Sequence, residues 1–122
     1  MGTERQSKLV NPVDFVTEKG WLATIIEHAQ AMGWVCAHFR PGMVSLVDRH
    51  GKPVWVTPVQ ADGKGFVDLI LARERIVYIE AKSEAGKLSE AQEKWRDAIL
   101  GAGGEWYCFR PSDWPTVLVT LE

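Results

Sequence analysis

Two apolar runs in the middle of the chain, residues 66–72 and 76–81, constrain the fold more than any other feature. Both are rich in Val, Ile and Leu, and a charged link of three residues (73–75) separates them. Such runs are typical of strands, and strands joined by so short a link pair antiparallel. The sequence therefore predicts a central β-hairpin in which Asp68 lies opposite Glu80.

The other periodic segments place helices and strands on both sides of this hairpin. Leu22, Ile25, Ala29 and Met32 recur at helical spacing between residues 17 and 32 and predict a stripe that faces the protein body, with Glu18 on the same stripe. Gly33 predicts the end of that helix. A second helix is predicted from about residue 89 to 100, before a cluster of glycines. Strands are predicted at 34–39 and 105–109. The order α-β-β-β-α-β indicates an α/β fold with a mixed central sheet flanked by helices.

Residues 40–64 form a long stretch without a strong period. Within it, residues 44–47 and 54–56 could pair, so the stretch is predicted to be a long loop or a hairpin insertion. The apolar tail that follows the break at residues 110–115 is left unassigned. The length of the chain predicts a single domain over residues 1–122.

Composition and charge exclude few classes of function. The net charge of −2 is neutral evidence on nucleic-acid binding, because an acidic cluster that holds a metal ion lowers the formal count. No apolar run reaches the ~18–20 residues of a membrane span, and no signal peptide is evident, so we expect a cytoplasmic protein without a membrane partner. Cys36 and Cys108 lack partners at zinc spacing and are expected to be free thiols. No phosphate loop or nucleophile motif supports a small-molecule enzyme.

The predicted hairpin places charged residues on a face that is otherwise apolar. Directly opposed residues such as Asp68 and Glu80 have Cβ atoms roughly 4.5–5.5 Å apart. Lys82 shares that face, whereas Ala81 points the other way and leaves its carbonyl at the strand end. Two carboxylates this close repel each other unless a positive charge lies between them. Hard oxygen donors in this arrangement suit Mg²⁺ or Mn²⁺, which could activate a water for attack on a phosphodiester.

Four short motifs, in this order, resemble a nuclease family. They are GFVD at residues 65–68, EAK at 80–82, LSEAQ at 88–92 and the glycine cluster at 101–104, which precedes a strand. The set resembles the VRR-NUC branch of the PD-(D/E)XK nucleases, which is similar to phage and archaeal Holliday-junction resolvases. The resemblance extends from Glu18 to about Trp114. Val67 departs from it, because the family name places proline there, but that position shapes the strand entry and carries no chemistry.

The resemblance implies a restriction-endonuclease-like core and a bacterial or phage-encoded DNA endonuclease that depends on Mg²⁺ or Mn²⁺. Bare-domain members are expected to be homodimers that act on branched DNA such as Holliday junctions. The expected metal-binding groups are Asp68, Glu80, the Ala81 carbonyl and Glu18. The expected catalytic residues are Asp68, Glu80, Lys82 and Gln92. The residues expected to bind nucleic acid are Arg40, Lys64 and Lys87.

Other interpretations of the same residues stay open. An exposed hairpin face with a surface ion pair would explain charges at Asp68, Glu80 and Lys82, but their apolar neighbours favour a site. Lys82 could position or deprotonate the water or bind the scissile phosphate, and Asp62 could be a second metal-shell acid or a loop acid. At the level of the protein, the alternatives are a flap- or restriction-type nuclease with the same site and a non-catalytic nuclease fold that binds nucleic acid.

Overall fold

A computed structural model describes residues 15–39, 44–56 and 61–122. Its elements are α1 (Glu18–Ala31), β1 (Val35–His38), β2 (Val44–Val47), β3 (Pro53–Val56), β4 (Leu69–Ala72), β5 (Ile76–Ala81), α2 (Glu90–Gly101), β6 (Glu105–Phe109), a 3₁₀ turn (Pro111–Asp113) and α3 (Trp114–Thr120). This order confirms the predicted succession of helices and strands and assigns the C-terminal tail to a helix. Among the described helices, none is both long and apolar enough to cross a membrane.

The central sheet has four strands in the order β1-β4-β5-β6. Strand β4 pairs antiparallel with both β1 and β5, whereas β6 runs parallel to β5. Within the predicted hairpin, Ile70 pairs with Tyr78 and Leu69 with Ile79, which is the expected register. Strand β4 begins at Leu69 and not at residue 66 as predicted. The structure thus confirms an α/β fold with a mixed sheet.

Helix α1 begins and ends as its sequence predicts. The Thr17 hydroxyl caps the first turn by accepting the Gly20 N–H at 3.0 Å. Gly33 follows the helix with φ +89°, a conformation that glycine adopts without strain. The predicted apolar stripe is buried as far as Ala29, but Met32 at its end is 40% exposed. Met32 was expected to face inward and instead forms the C-cap, where the helical phase no longer applies.

The two faces of the central sheet are covered by different helices. Alternate residues of a strand point to opposite faces. The face covered by α1 and α3, here called the core face, forms a single apolar cluster, whereas the other, the site face, lies against α2. The buried members of the core face are Trp21, Leu22, Ile25, Ala29, Trp34, Leu69, Leu71, Val77, Ile79, Ala81, Phe109, Val117 and Leu121.

Strands β2 and β3 pair antiparallel as a separate two-stranded sheet, with Val44 opposite Val56. The turn between them is held by the Asp48 carboxylate, which accepts the N–H groups of His50 and Lys52 at 2.8 and 2.9 Å. Of the two predicted forms of residues 40–64, the described part adopts the hairpin. Arg40, expected to contact nucleic acid, lies outside the described residues.

Candidate active site

The candidate site lies where β4 and β5 stop pairing. The last paired residues are Leu69 and Ile79, and the same register continued by one step sets Asp68 beside Glu80. Asp68 Oδ2 accepts the backbone N–H of Ala81 at 2.9 Å. The Asp68 side chain thus replaces the carbonyl that a continued ladder would supply, and this hydrogen bond fixes the carboxylate at the strand end.

The backbone of Ala81 presents its carbonyl on the same side as this hydrogen bond. The N–H and C=O of one residue in an antiparallel strand point toward the same neighbour. Because the Ala81 N–H points toward Asp68, its carbonyl does so as well, past the end of β4. The Ala81 side chain is fully buried in the core face, so it anchors this peptide.

Glu80 is the buried acid of the site. Its side chain is only 1% exposed, and its Oε1 accepts the Gln92 Nε2–H at 3.0 Å. Among the described residues, its Oε2 has no hydrogen-bond partner although that atom is buried. Burial, and then the neighbouring Asp68 carboxyl, raise the pKa of Glu80 to about 9, against the lowering effect of the Lys82 charge. An ionised Glu80 therefore requires a cation close to it.

These donors fit a divalent metal ion with hard oxygen ligands. The unpartnered Glu80 Oε2 is a buried acceptor whose desolvation a bound cation would offset. Within the described ranges, no group of three or more His, Cys, Asp or Glu side chains could hold a metal. A metal ion bound here would therefore have two carboxylates and a carbonyl as its protein donors. Mg²⁺ can bind with so few protein ligands because it keeps several of its waters.

Glu18 lies outside the immediate donor group. It is the first residue of α1 and its side chain is exposed, whereas the helical phase predicted that it projects toward the protein body. Its charge nevertheless adds to the upward shift in the pKa of Glu80. Glu18 is therefore within electrostatic range of the pair, and its role as a metal ligand stays a prediction.

Gln92 connects helix α2 to the acids with the two ends of one amide. Its Oε1 accepts the Ser89 N–H at 2.9 Å, and the Ser89 hydroxyl accepts the Gln92 N–H at 3.1 Å, which completes a capping box. The same amide donates its Nε2–H to Glu80 at 3.0 Å. The structural and the functional interpretation of Gln92 are thus compatible, since capping fixes the direction of the Nε2–H.

Lys82 follows β5 directly and is half-buried. Its backbone N–H donates to the Phe109 carbonyl at 3.0 Å, which ties it to β6. Within the described part of the chain, its ammonium has no carboxylate at ion-pair distance, so the charge remains available. Two acids, a carbonyl and an ammonium therefore occupy one end of the sheet.

Gly65 explains the position of Asp68 three residues later. Its φ is +81°, and a Cβ there would lie 2.5 Å from the backbone carbon of Ala91 in α2. Only glycine allows so close an approach between this turn and the helix. The turn before it is also bound to α2, because Trp95 Nε1 donates to the Asp62 carbonyl at 2.8 Å.

The remaining predicted residues lie around the site without entering it. The Asp62 carboxylate forms an exposed ion pair with Lys94 at 3.2 Å, which favours the loop acid over a second metal-shell acid. Lys64 and Lys87 are both exposed, the first in a turn and the second in the loop before α2, and their contact with nucleic acid stays a prediction. Cys36 and Cys108 are free and half-buried, as expected.

Sequence reasoning missed two features of the site face. A cavity of about 430 Å³ lies between α2 and the hairpin, and Phe66, Tyr78 and Trp95 supply its aromatic lining. The second is Arg110, which follows β6 just as Lys82 follows β5. The parallel pairing of these two strands places Arg110 next to Lys82 and is the signal that could have found it. No protein-family model, curated protein or solved structure matches this chain.

Proposed function

We propose that this protein is a metal-dependent DNA endonuclease of the PD-(D/E)XK type, close to the VRR-NUC branch, that acts in the cytoplasm. The buried Glu80 with a free oxygen beside Asp68, at the end of two paired strands, carries the proposal. A buried carboxyl oxygen without a hydrogen-bond partner is costly and indicates a ligand. The α-β-β-β-α-β order around this site supports the proposed restriction-endonuclease-like core.

The chain's own residues have separate roles in the proposed hydrolysis. Asp68, Glu80 and the Ala81 carbonyl would hold Mg²⁺ or Mn²⁺, and Gln92 orients Glu80 through its Nε2–H. When bound, the ion supplies Lewis acidity and an activated water at neutral pH. The Lys82 ammonium positions that water or binds the phosphate that is cut; both roles require the free charge that it has here.

The proposed substrate is branched DNA, with a four-way junction first, cut by a homodimer. This step rests on the family resemblance and on the small size of the domain, because two copies of one site are needed to nick two strands. The exposed cations Lys64 and Lys87 support phosphate contacts at the rim. Arg40 is proposed to join them.

The decisive experiment combines a substrate screen with one variant. Pure protein is incubated with a labelled four-way junction and a matched linear duplex, in Mn²⁺ and in EDTA. We expect metal-dependent cleavage of the junction and loss of at least about 10²-fold in rate for Lys82→Ala, with DNA binding retained. Lys94→Ala is the matched control, since this exposed lysine of α2 pairs with Asp62 away from the acids.

Each other outcome selects a different interpretation. Equal cleavage of junction and duplex removes the junction preference and favours a flap- or restriction-type nuclease with the same site. DNA binding without cleavage in Mn²⁺ favours a non-catalytic nuclease-fold module. If Lys82→Ala cleaves as fast as the wild type, the residues assigned above do not carry the reaction.

A further inference from the structure

Arg110 occupies a place beside Lys82 that the proposed mechanism leaves unused. Strand β6 runs parallel to β5 with Ala81 opposite Phe109, so the next residues along both strands, Lys82 and Arg110, are neighbours at the carboxyl ends. Strand alternation puts Arg110 on the site face together with Cys108 and Glu80. In open α/β sheets, the carboxyl ends of parallel strands are where ligands bind.

The guanidinium of Arg110 is held by contacts with Gly86 and Cys108. Its Nη2 donates to the Gly86 carbonyl at 2.7 Å, and its Nη1 lies 3.6 Å from Cys108 Sγ. Burial raises the pKa of the Cys108 thiol, the Arg110 charge lowers it, and the Glu80 charge raises it. The thiol is therefore within electrostatic range of both the guanidinium and the buried acid.

The Arg110 side chain is half-buried and forms no ion pair with an acid of the described residues. Within the described ranges, Arg73, Arg75 and Arg96 each form ion pairs with acidic side chains, whereas Arg110 forms none. Asp113 accepts the backbone N–H of Arg110 and forms no ion pair with its guanidinium. Hydrogen bonds from Ser112, and then the Arg110 charge, lower the pKa of the Glu84 carboxyl, so this acid lies within electrostatic range of the guanidinium. Of its five N–H donors, one is bound to a carbonyl and one faces a weak sulfur acceptor, so donors remain for an anion.

Two loops hold Arg110 in place before any ligand binds. The Asp113 carboxylate accepts the Arg110 N–H at 2.8 Å, and the Glu84 carboxylate accepts the Ser112 N–H at 3.1 Å. Together with the bond to Gly86, these contacts join the loop after β5 to the loop after β6. A charge held in this way loses little entropy when it binds its partner.

We propose that Arg110 is a phosphate-binding residue of this site, and that its guanidinium binds a backbone phosphate of the nucleic acid next to the phosphate that is cut. The inference rests on the proposed function and deepens it. The planar guanidinium fork matches the oxygens of a phosphodiester. Because the chain carries a net charge of −2, phosphates must be met by locally placed cations, and Arg110 adds one beside Lys82.

The test is the salt dependence of DNA binding. The affinity of a fluorescein-labelled four-way junction is measured in EDTA, so that nothing is cut, over a series of salt concentrations. We expect Arg110→Gln to bind roughly 10-fold more weakly at low salt and to lower the slope of log affinity against log salt by about 0.9, the loss of one phosphate contact. Arg110→Lys should keep the slope. Arg96→Gln, which removes an arginine paired with Glu93 and Asp97, should leave both quantities unchanged.

An unchanged slope of log affinity against log salt for Arg110→Gln would overturn the inference. A residue that only holds the two loops together would change the stability of the protein and not the number of counterions released on DNA binding. An equal loss in Arg96→Gln would also overturn it, because net charge would then be the cause. Should Arg110→Gln fail to fold, the Arg110 Nε–Hε resonance of the wild type, assigned with Arg110→Lys, must shift when junction DNA is added. If the wild type binds no DNA, both the proposed nuclease function and the role of Arg110 are removed. If the wild type cuts DNA but Arg110 contributes nothing to DNA binding, only the role of Arg110 is removed.

Discussion

The two faces of the central sheet differ in the hydrogen bonding of their buried polar groups. On the core face, the indole N–H groups of Trp21 and Trp34 donate to the carbonyls of Phe109 and Leu121, at 2.8 and 2.9 Å. On the site face, the Trp106 indole N–H and one oxygen of Glu80 are buried without a partner in the described part of the chain. His28 Nε2, on α1 beside Trp114, is also buried without a partner, so unsatisfied groups are not confined to one face. Glu80 is the acid among these groups, and the cost of leaving its oxygen unsatisfied marks where the site face serves something other than stability.

The same strands supply both faces, one residue at a time. In β5, Val77, Ile79 and Ala81 are fully buried against α1 and α3, whereas Tyr78 lines the cavity beside α2 and Glu80 faces Gln92. A substitution of neighbouring residues should therefore affect stability or activity according to its face. This contrast can be tested within a single strand pair.

The largest expected effect on stability is a core-face truncation. Leu71 is fully buried in the cluster, so Leu71→Ala should lower the free energy of unfolding by about 2–5 kcal/mol through lost burial and a residual cavity. Ile70 precedes it on the same strand but lies half-buried on the site face. Ile70→Ala is the matched control and should cost about 1 kcal/mol. Urea denaturation monitors both, and equal losses would contradict the division into two faces.

A smaller effect is expected where the site-face loop approaches α2. Gly65→Ala places a Cβ 2.5 Å from the backbone of Ala91 and should cost about 1–3 kcal/mol by overpacking, in addition to the strain of its positive φ. Gly103 also has a positive φ, of +83°, but a Cβ there would meet nothing within 4 Å. Gly103→Ala therefore isolates the cost of φ alone. Because Asp68 follows Gly65 closely, only Gly65→Ala should also slow cleavage; identical melting and cleavage for the two variants would refute the close approach.

The hairpin and its register could be predicted because local rules decide them. The three-residue link fixes the pairing, and from it follows the placement of Asp68 beside Glu80. The capping box at Ser89 is equally local and placed the start of α2 within one residue. These features need no knowledge of distant parts of the chain.

Features that depend on distant contacts could not be predicted in this way. Helix α3 contains a proline near its start, and Val117 is its one fully buried side chain, so the sequence shows no helical stripe there. The contact between Arg110 and the Gly86 carbonyl joins residues 24 positions apart, and no periodicity encodes it. Glu18 lies at the first residue of its helix, where the direction of a side chain is set by packing and not by helical phase.

The last expected effect concerns the metal-free state of the site face. The pKa of Glu80 is raised from its ordinary value of 4.5 to about 9, chiefly by burial, so the folded protein favours the protonated acid. This contribution to stability is fully present below pH 4.5 and is lost as the pH rises toward about 9. In EDTA, the melting temperature of the wild type should therefore fall over this window.

Glu80→Gln removes the titrating carboxyl and puts an amide of similar shape beside Gln92. We expect this variant to melt with a flatter pH profile and to exceed the wild type by at least about 1 kcal/mol at pH 8 without metal, because the wild type must take up a proton when it folds at that pH. Added Mn²⁺ should reverse the order, since it stabilises only a protein that binds it. Glu90→Gln, an exposed acid of the same helix end, is the control. Parallel pH profiles for wild type and Glu80→Gln would show that Glu80 is not the group whose burial distinguishes the site face from the core face.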